Sequence, residues 1–299
     1  MKELVVLSGK GGTGKTSLVA AFAALADRKV LADCDVDAAD LHLILSPRTV
    51  QVQEFQGRRR AHILADRCAG CGVCAAHCRF GAVSLDGPGN GAIAKTCRVE
   101  PLACEGCGVC AYVCPAQAVE FGTGRDGEWY VSETRHGPLV HARLDPGGEN
   151  SGKLVTLVRE RAYALAEERD LDLLLVDGSP GIGCPVIASI AGADLVLGVA
   201  EPTLSGRHDL ERLTGLTAHF QIPMVVSINK IDLNLEVAAA IERWCQARGI
   251  WIVGRIPYDP VFSQAQTQSK SVVECTNGPT AQALREVWQE THTTLETIR

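Results

Sequence analysis

Short apolar blocks recur towards both ends of this chain: Leu4 to Leu7, Val30 to Ala32, Leu173 to Val176, Ala193 to Ala200, Met224 to Ile228 and Trp251 to Val253. Apolar runs of this length, without polar alternation, suit strands buried on both faces of a parallel sheet. Stretches of helical period lie between them. One leaves Lys15 and runs to about Asp27, one spans Ser151 to about Glu168, one covers about Ser205 to His219, and a polar one closes the chain from Thr280. The alternation predicts an α/β fold around a mostly parallel central sheet. From Ser46-Pro47 to about Asn150 the rhythm breaks. Period-two alternation appears at Val50–Phe55 and Ala61–Ala65, short apolar segments at Gly81–Leu85 and Gln117–Phe121, and a strand-like return at Trp129–Val131 and Leu139–Leu144. The expected organisation is one discontinuous α/β domain (1–46 and 150–299) and a small inserted α+β domain (60–122), with 47–59 and 123–149 as connecting segments.

The first strand runs into Gly9-Lys10-Gly11-Gly12-Thr13-Gly14-Lys15-Thr16-Ser17. Gly9, four residues, then Gly14-Lys15-Thr16 has the spacing of a phosphate-binding P-loop. Glycines let successive backbone N–H groups converge on one anion, and the helix that follows adds its positive end. Lys15 is expected on the β- and γ-phosphates and the Thr16 hydroxyl on Mg²⁺. Leu173–Val176 ends in Asp177-Gly178-Ser179-Pro180-Gly181, an acid for the Mg²⁺ water shell and a turn free to respond to the γ-phosphate. Each element alone also occurs for packing reasons; together they define a P-loop NTPase.

Lys10 is a second lysine at the start of the loop. With it the sequence resembles the deviant P-loop ATPases of the MinD/Mrp/nitrogenase iron protein group, whose loops read Lys-Gly-Gly-x-x-Lys-Ser/Thr. The resemblance covers about 1–46 and 150–299. It implies an ATP-dependent homodimer, or a heterodimer with a similar ATPase, in which Lys10 reaches the partner's nucleotide; the plain alternative is a solvated loop lysine. It also implies that Asp35 in Asp33-Cys34-Asp35-Val36-Asp37 positions or activates the attacking water, and that Asn229 contacts adenine. Asp33, Asp37 and Asp40 are equally readable as acids at a helix N-terminus, and Cys34 as a packed thiol. Asn229-Lys230-Ile231-Asp232 also fits guanine readers, so the deviant lysine is what favours ATP. Pro257 and Tyr258 are expected to flank the base.

Nine of the thirteen cysteines fall between Cys68 and Cys114. Cys68-x2-Cys71-x2-Cys74-x3-Cys78 is repeated as Cys104-x2-Cys107-x2-Cys110-x3-Cys114-Pro115, with Cys-Gly-Val-Cys-Ala in both halves. This is the bacterial two-cluster ferredoxin pattern, in which three thiolates wrap a cubane and the fourth comes from the other half. Cys68, Cys71, Cys74 and Cys114 are therefore expected to hold one [4Fe–4S] cluster, and Cys104, Cys107, Cys110 and Cys78 the other. Zinc is the competing occupant, but zinc sites use two separated pairs rather than runs of four. Arg79 stands where the second half has Pro115, and Cys97 reads as a spare thiol. His77, His136 and His141 read as surface or packed residues, and Arg58-Arg59-Arg60 as a solvated turn.

A net charge of −6 argues against general nucleic-acid binding. No apolar run approaches spanning length and the N-terminus lacks an apolar leader core, so a cytoplasmic chain is expected, without membrane insertion. The last helix lacks the basic amphipathic face of a membrane-targeting tail. Three functions follow. An ATP-gated carrier would pass electrons through two clusters to an acceptor protein. A maturation ATPase would serve iron–sulfur or metal-cofactor assembly. A partitioning or scaffold ATPase would hold its clusters as structure. The fully ligated cubanes favour the first. Two shared-cluster sites of the resembling groups lack their cysteines here: Cys184 lies seven residues beyond Asp177, and Cys245 and Cys275 stand alone.

Overall fold

The computed structural model describes residues 1–148 and 151–298, and it divides into two compact units. The first comprises Met1–Gln53, Glu128–Arg143 and Ser151–Arg299, and the second Glu54–Gly127 with Leu144–Asn150.

In the first unit, β1 (Lys2–Ser8) leads through the glycine loop into α1 (Lys15–Leu25), β2 (Lys29–Asp33), α2 (Leu41–Leu45) and β3 (Arg48–Phe55). Leu4 to Leu7 are fully buried, as the unalternated apolar run requires. α1 is apolar nearly all round and buries Leu18 through Ala23, so it lies inside the fold rather than along its surface.

In the second unit the cysteine repeat becomes a structural repeat. One half is β4 (Arg59–Ile63), α3 (Val73–Ala76) and β5 (Val83–Gly87); the other is β6 (Thr96–Val99), α4 (Val109–Tyr112) and β7 (Val119–Thr123). β4 pairs antiparallel with β7 and β5 with β6, so the halves interlock through their strands.

The chain returns along β8 (Gly127–Thr134) and β9 (Gly137–Leu144), then resumes alternation with α5 (Ser151–Glu168), β10 (Leu173–Asp177), α6 (Cys184–Ile190), β11 (Leu195–Ala200) and α7 (Leu204–His219). β12 (Met224–Asn229), α8 (Leu235–Gln246), β13 (Trp251–Ile256), α9 (Val261–Thr267), α10 (Val272–Cys275) and α11 (Pro279–Thr297) complete it. Among the described residues one nine-stranded sheet runs β13-β12-β11-β1-β10-β2-β9-β8-β3, and every pairing from β13 across to β9 is parallel. The register sets Val6 beside Asp177, Asp177 beside Asp33, and Asp33 beside His141. The acids ending β2 and β10 therefore share the carboxyl edge, where ligands bind in such sheets. α1 and α11 close one face, with the Phe22 and Trp288 rings 5.0 Å apart.

Two expectations change. Segments 47–59 and 123–149 are not mere connectors: they carry β3, β8 and β9, which widen the central sheet. The boundary at residue 150 lies outside the described residues. Arg58-Arg59-Arg60 is not a solvated turn either. Arg59 opens β4, Arg58 is buried, and Arg60 pairs with the fully buried Asp126. Asp126 also accepts the N–H groups of Gly57 and Arg58 at 2.8 and 2.9 Å, so this carboxylate organises the start of the unit. Sequence reading missed it because its partners lie more than sixty residues away.

Candidate nucleotide site and cysteine quartets

A cavity of about 570 Å³ opens at the carboxyl edge, lined by the loop from Gly11 to Ser17 together with Asp35, Ser179, Asn229, Lys230, Pro257 and Tyr258. Gly14 takes φ +90° as it caps α1, and a Cβ there would strike the Asn229 amide. Gly9 has the same constraint from outside, since a Cβ would overlap Cβ of Asp209 on α7. Both glycines are required by close approach.

Lys15 is buried and its ammonium donates to Asp177, with Asp35 3.7 Å away. Burial opposes its charge, but Asp177, Asp35 and Asp33 together raise its pKa above the ordinary lysine value. Burial pushes Asp35 up to about 6; Lys15 works against that, while Asp177, Asp37 and Asp40 add to it. Asp33 is raised further, by full burial and then by the neighbouring Asp177. One lysine thus serves three clustered carboxylates. Among the described residues Asp177 Oδ2 has no hydrogen-bond partner. An acceptor left open on the carboxylate that pairs with Lys15 fits the water shell of a magnesium ion.

Asp33 accepts the N–H of Leu41 at 3.2 Å and of Asp35 at 3.1 Å, so it fixes both the start of α2 and the acid beside Lys15. Its reading as a helix N-terminal acid holds at Leu41; Asp40 stands at the N-cap of α2 with an exposed side chain that makes no capping bond, and Asp37 is exposed. Cys34 is a packed thiol whose carbonyl accepts the Ser179 hydroxyl at 2.6 Å, tying the Asp35 segment to the turn after Asp177.

Asn229 lines the cavity, yet both ends of its amide are engaged. Nδ2 donates to the Thr13 carbonyl at 2.7 Å and Oδ1 accepts the Lys230 N–H at 3.0 Å. Lys230 donates to the Gly12 carbonyl at 2.8 Å. This pair braces the glycine loop, a role that spacing along the chain did not reveal. Asp232 accepts the Tyr258 N–H at 2.7 Å and so fixes the wall expected to flank a base. Lys10 is not a free loop lysine: it is paired with Glu201 and donates to Ser205 at 3.2 Å. Glu201 also meets Lys230 at 3.4 Å; burial works to raise its pKa, but the two lysines hold it below the usual range. An acid closing a parallel strand was the only sequence signal for Glu201.

In the cysteine unit, Cys78 from the first half lines a small cavity with Cys104, Cys107 and Cys110 from the second. Cys74 lies beside Cys68, Cys97 and Cys114. Backbone N–H groups point at the sulfurs: Gly70 and Cys97 at Cys68, Ala82 at Cys78, and Ala118 at Cys114, all within 3.5 Å. Among the described residues no three His, Cys, Asp or Glu side chains are grouped to hold a metal ion. His77 is exposed and His136 pairs with Glu274 at 3.0 Å. His141 is buried, stacked between Tyr130 and His42, and burial holds it down at about 4.

Among the described residues no helix is long and apolar enough to cross a membrane. Residues 4–272 match the family model described as the CobQ/CobB/MinD/ParA nucleotide binding domain. The uncharacterized protein MJ0578 of Methanocaldococcus jannaschii is 31% identical over 236 residues, covering 78% of this chain and 79% of that one. The MinD cell division protein of Aquifex aeolicus superposes with a TM-score of 0.56 at 19% identity, over 98% of each chain. The septum site-determining protein MinD of Pyrococcus horikoshii, complexed with Mg-ADP, gives 0.57 at 15% identity over 97% of this chain and 95% of that one.

Proposed function

The chain belongs to the CobQ/CobB/MinD/ParA nucleotide-binding family and is a P-loop ATPase, and from that premise we propose an ATP-driven dimerising switch of the partitioning or scaffold kind, carrying its cysteine unit as an iron–sulfur module. The observation that carries the switch is Lys15, held by Asp177 and faced by Asp35 at the mouth of a nucleotide-sized cavity. The MinD and ParA likeness supports this kind of work better than electron transfer, which sequence reading had placed first.

Bound Mg-ATP would supply the phosphoryl group for hydrolysis. Gly9 to Gly14 present backbone N–H groups to it, and Lys15 exchanges the Asp177 carboxylate for phosphate oxygens. Thr16 and the open oxygen of Asp177 hold the magnesium side. Asp35, once ionised, accepts a proton from the attacking water. Release of Asp177 by Lys15 frees the turn that follows, and through Ser179 and Cys34 the Asp35 segment moves with it. Lys10 leaves Glu201 to meet the nucleotide of a second copy. Asn229 braces the loop and Tyr258 covers the base.

The two cysteine quartets are chemically suited to [4Fe–4S] clusters: all ligands are thiols, and donated N–H groups offset the negative charge on sulfur. A cubane fills a volume rather than a point, so its thiolates stand further apart than the ligands of one ion. Each cluster would supply one-electron storage. A second reading, the ATP-gated electron carrier, is supported by the doubled four-cysteine spacing, which is that of two-cluster electron carriers.

The deciding experiment is light scattering with ATP or ADP on anaerobically purified protein, with EPR of the dithionite-reduced sample under both nucleotides. ATP-dependent dimerisation with unchanged cluster signals supports the scaffold switch. Signals that change with nucleotide support the carrier. A chain that stays monomeric with ATP overturns the switch.

A further inference from the structure

β3 (Arg48–Phe55) is the last strand of the nine-stranded sheet, so one side of its backbone has no neighbouring strand among the described residues. Such an edge is a template for another strand, and folded proteins blunt it with short length, a lysine, a proline or a bulge. The opposite edge is blunted in this way. β13 has six residues, with Gly254 and Arg255 inside it, and its register against β12 shifts between Val226 and Ser227. β3 is eight residues long, has no lysine, proline or glycine, and keeps its two charges near its ends.

Side chains alternate along a strand. Val50 and Val52 point to one face with Arg48 and Glu54, and Thr49, Gln51 and Gln53 point to the other. The two valines are 55% and 52% exposed, so their face is uncovered. From Arg48 to Glu54 only Gln51 is half-buried, and the rest are exposed. Among the described residues neither Arg48 nor Glu54 is ion-paired within the chain.

The order of these residues is self-complementary. In an antiparallel pair of β3 strands with its two-fold axis at Gln51, Val50 meets Val52 of the second copy, Thr49 meets Gln53 and Arg48 meets Glu54. Each contact occurs twice, because the axis makes the patch its own partner. One face then carries four valines closed at either end by an opposite-charge pair, and the other carries only amides and hydroxyls. A shift of one residue sets Val50 against Gln51, and a parallel pair in register sets like charges side by side, so one register is selected.

From this self-complementarity we infer that β3 is a self-association surface, through which two copies of the chain pair antiparallel into one continuous sheet. The pair uses none of the residues that line the nucleotide cavity, and so it forms without ATP.

The test is sedimentation equilibrium of the full chain, purified anaerobically and freed of nucleotide, over about a hundredfold range of concentration. Wild type should pass from monomer to dimer and stop there. Arg48→Glu sets two glutamates against each other at each end of the pair, and Glu54→Arg sets two arginines, so each variant alone should dimerise at least about tenfold more weakly. Mixed in equal amounts the two variants are complementary again, and the mixture should dimerise as wild type does. Recovery on mixing shows that neither variant lost its dimer by misfolding. Wild type that stays monomeric, or that grows past the dimer, overturns the inference. Single variants that dimerise as wild type does, or a mixture that stays monomeric, overturn it equally. Adding Mg-ATP to the same samples judges the switch separately: a dimer that appears only with ATP supports the switch and overturns the β3 pair.

Discussion

The ammonium of Lys15, which lines the cavity where a nucleotide would place its phosphates, is bonded to the buried carboxylate of Asp177. The loop lysine and the acid ending β10 lie 162 residues apart in the chain and are brought together by the parallel register of β1 and β10. Each group is the other's counter-ion until phosphate and magnesium arrive. Binding must therefore break a buried pair, and that cost is recovered only when both phosphate and metal are present.

This dependence can be measured. In Asp177→Asn the pair is lost and Lys15 is free, so affinity for ATP without magnesium should rise several-fold, while Mg-dependent turnover should fall on the order of a hundredfold. Fluorescent-nucleotide titrations with and without a chelator check the first part, and phosphate release the second. Equal magnesium-free affinity in both proteins would refute the competition.

Asp35 at about 6 sits well above an ordinary aspartate. Below that pH it is protonated and takes no proton from water; above it the carboxylate is ionised. The value of kcat/KM should accordingly drop about tenfold for each pH unit below 6 and level off above. In Asp35→Asn the activity should be low and the acid limb absent. The same raised value has a sign for stability: the nucleotide-free fold favours the protonated acid, so it loses stability as pH climbs from the ordinary aspartate value towards 6.

Removing the Asn229 side chain should loosen the glycine loop without emptying the cavity. Asn229→Ala gives up its bonds to Thr13 and Lys230, at about 1 kcal/mol each in stability. Nucleotide Kd should weaken alongside. Denaturant midpoints and a nucleotide titration on the same sample check both; an unchanged Kd would show that the loop holds itself.

Asp126 holds the start of the cysteine unit. Asp126→Ala leaves Arg60 without its buried partner and removes the carboxylate that accepts two N–H groups, a cost of about 3–5 kcal/mol. Circular dichroism with iron analysis should show that unit failing while nucleotide binding survives.

The proposed crossed ligation gives a further outcome. Cys78→Ser should remove the cluster proposed on Cys104, Cys107 and Cys110, although Cys78 belongs to the other run. Loss of the cluster of Cys68, Cys71 and Cys74 instead would contradict the crossing.

The glycine loop, the Asp177 strand and the doubled cysteine run were legible because each is local chemistry: a loop that must turn, a strand that must be buried, thiols at fixed spacing. Those signals announced the α/β class and offered the nucleotide site and the two quartets as candidates. Long-range pairing was not legible. Nothing near Arg58 or Arg60 announces Asp126, nothing near Lys10 announces Glu201, and Cys97 read as a spare thiol until β6 set it beside Cys68 and Cys74. The strands β3, β8 and β9 read as connectors because their place in a sheet depends on partners elsewhere in the chain. Local propensity and spacing decide which chemistry a segment can offer. Which carboxylate meets which cation, and whether a thiol stands alone or beside others, is decided by register and burial, which exist only once the chain has folded.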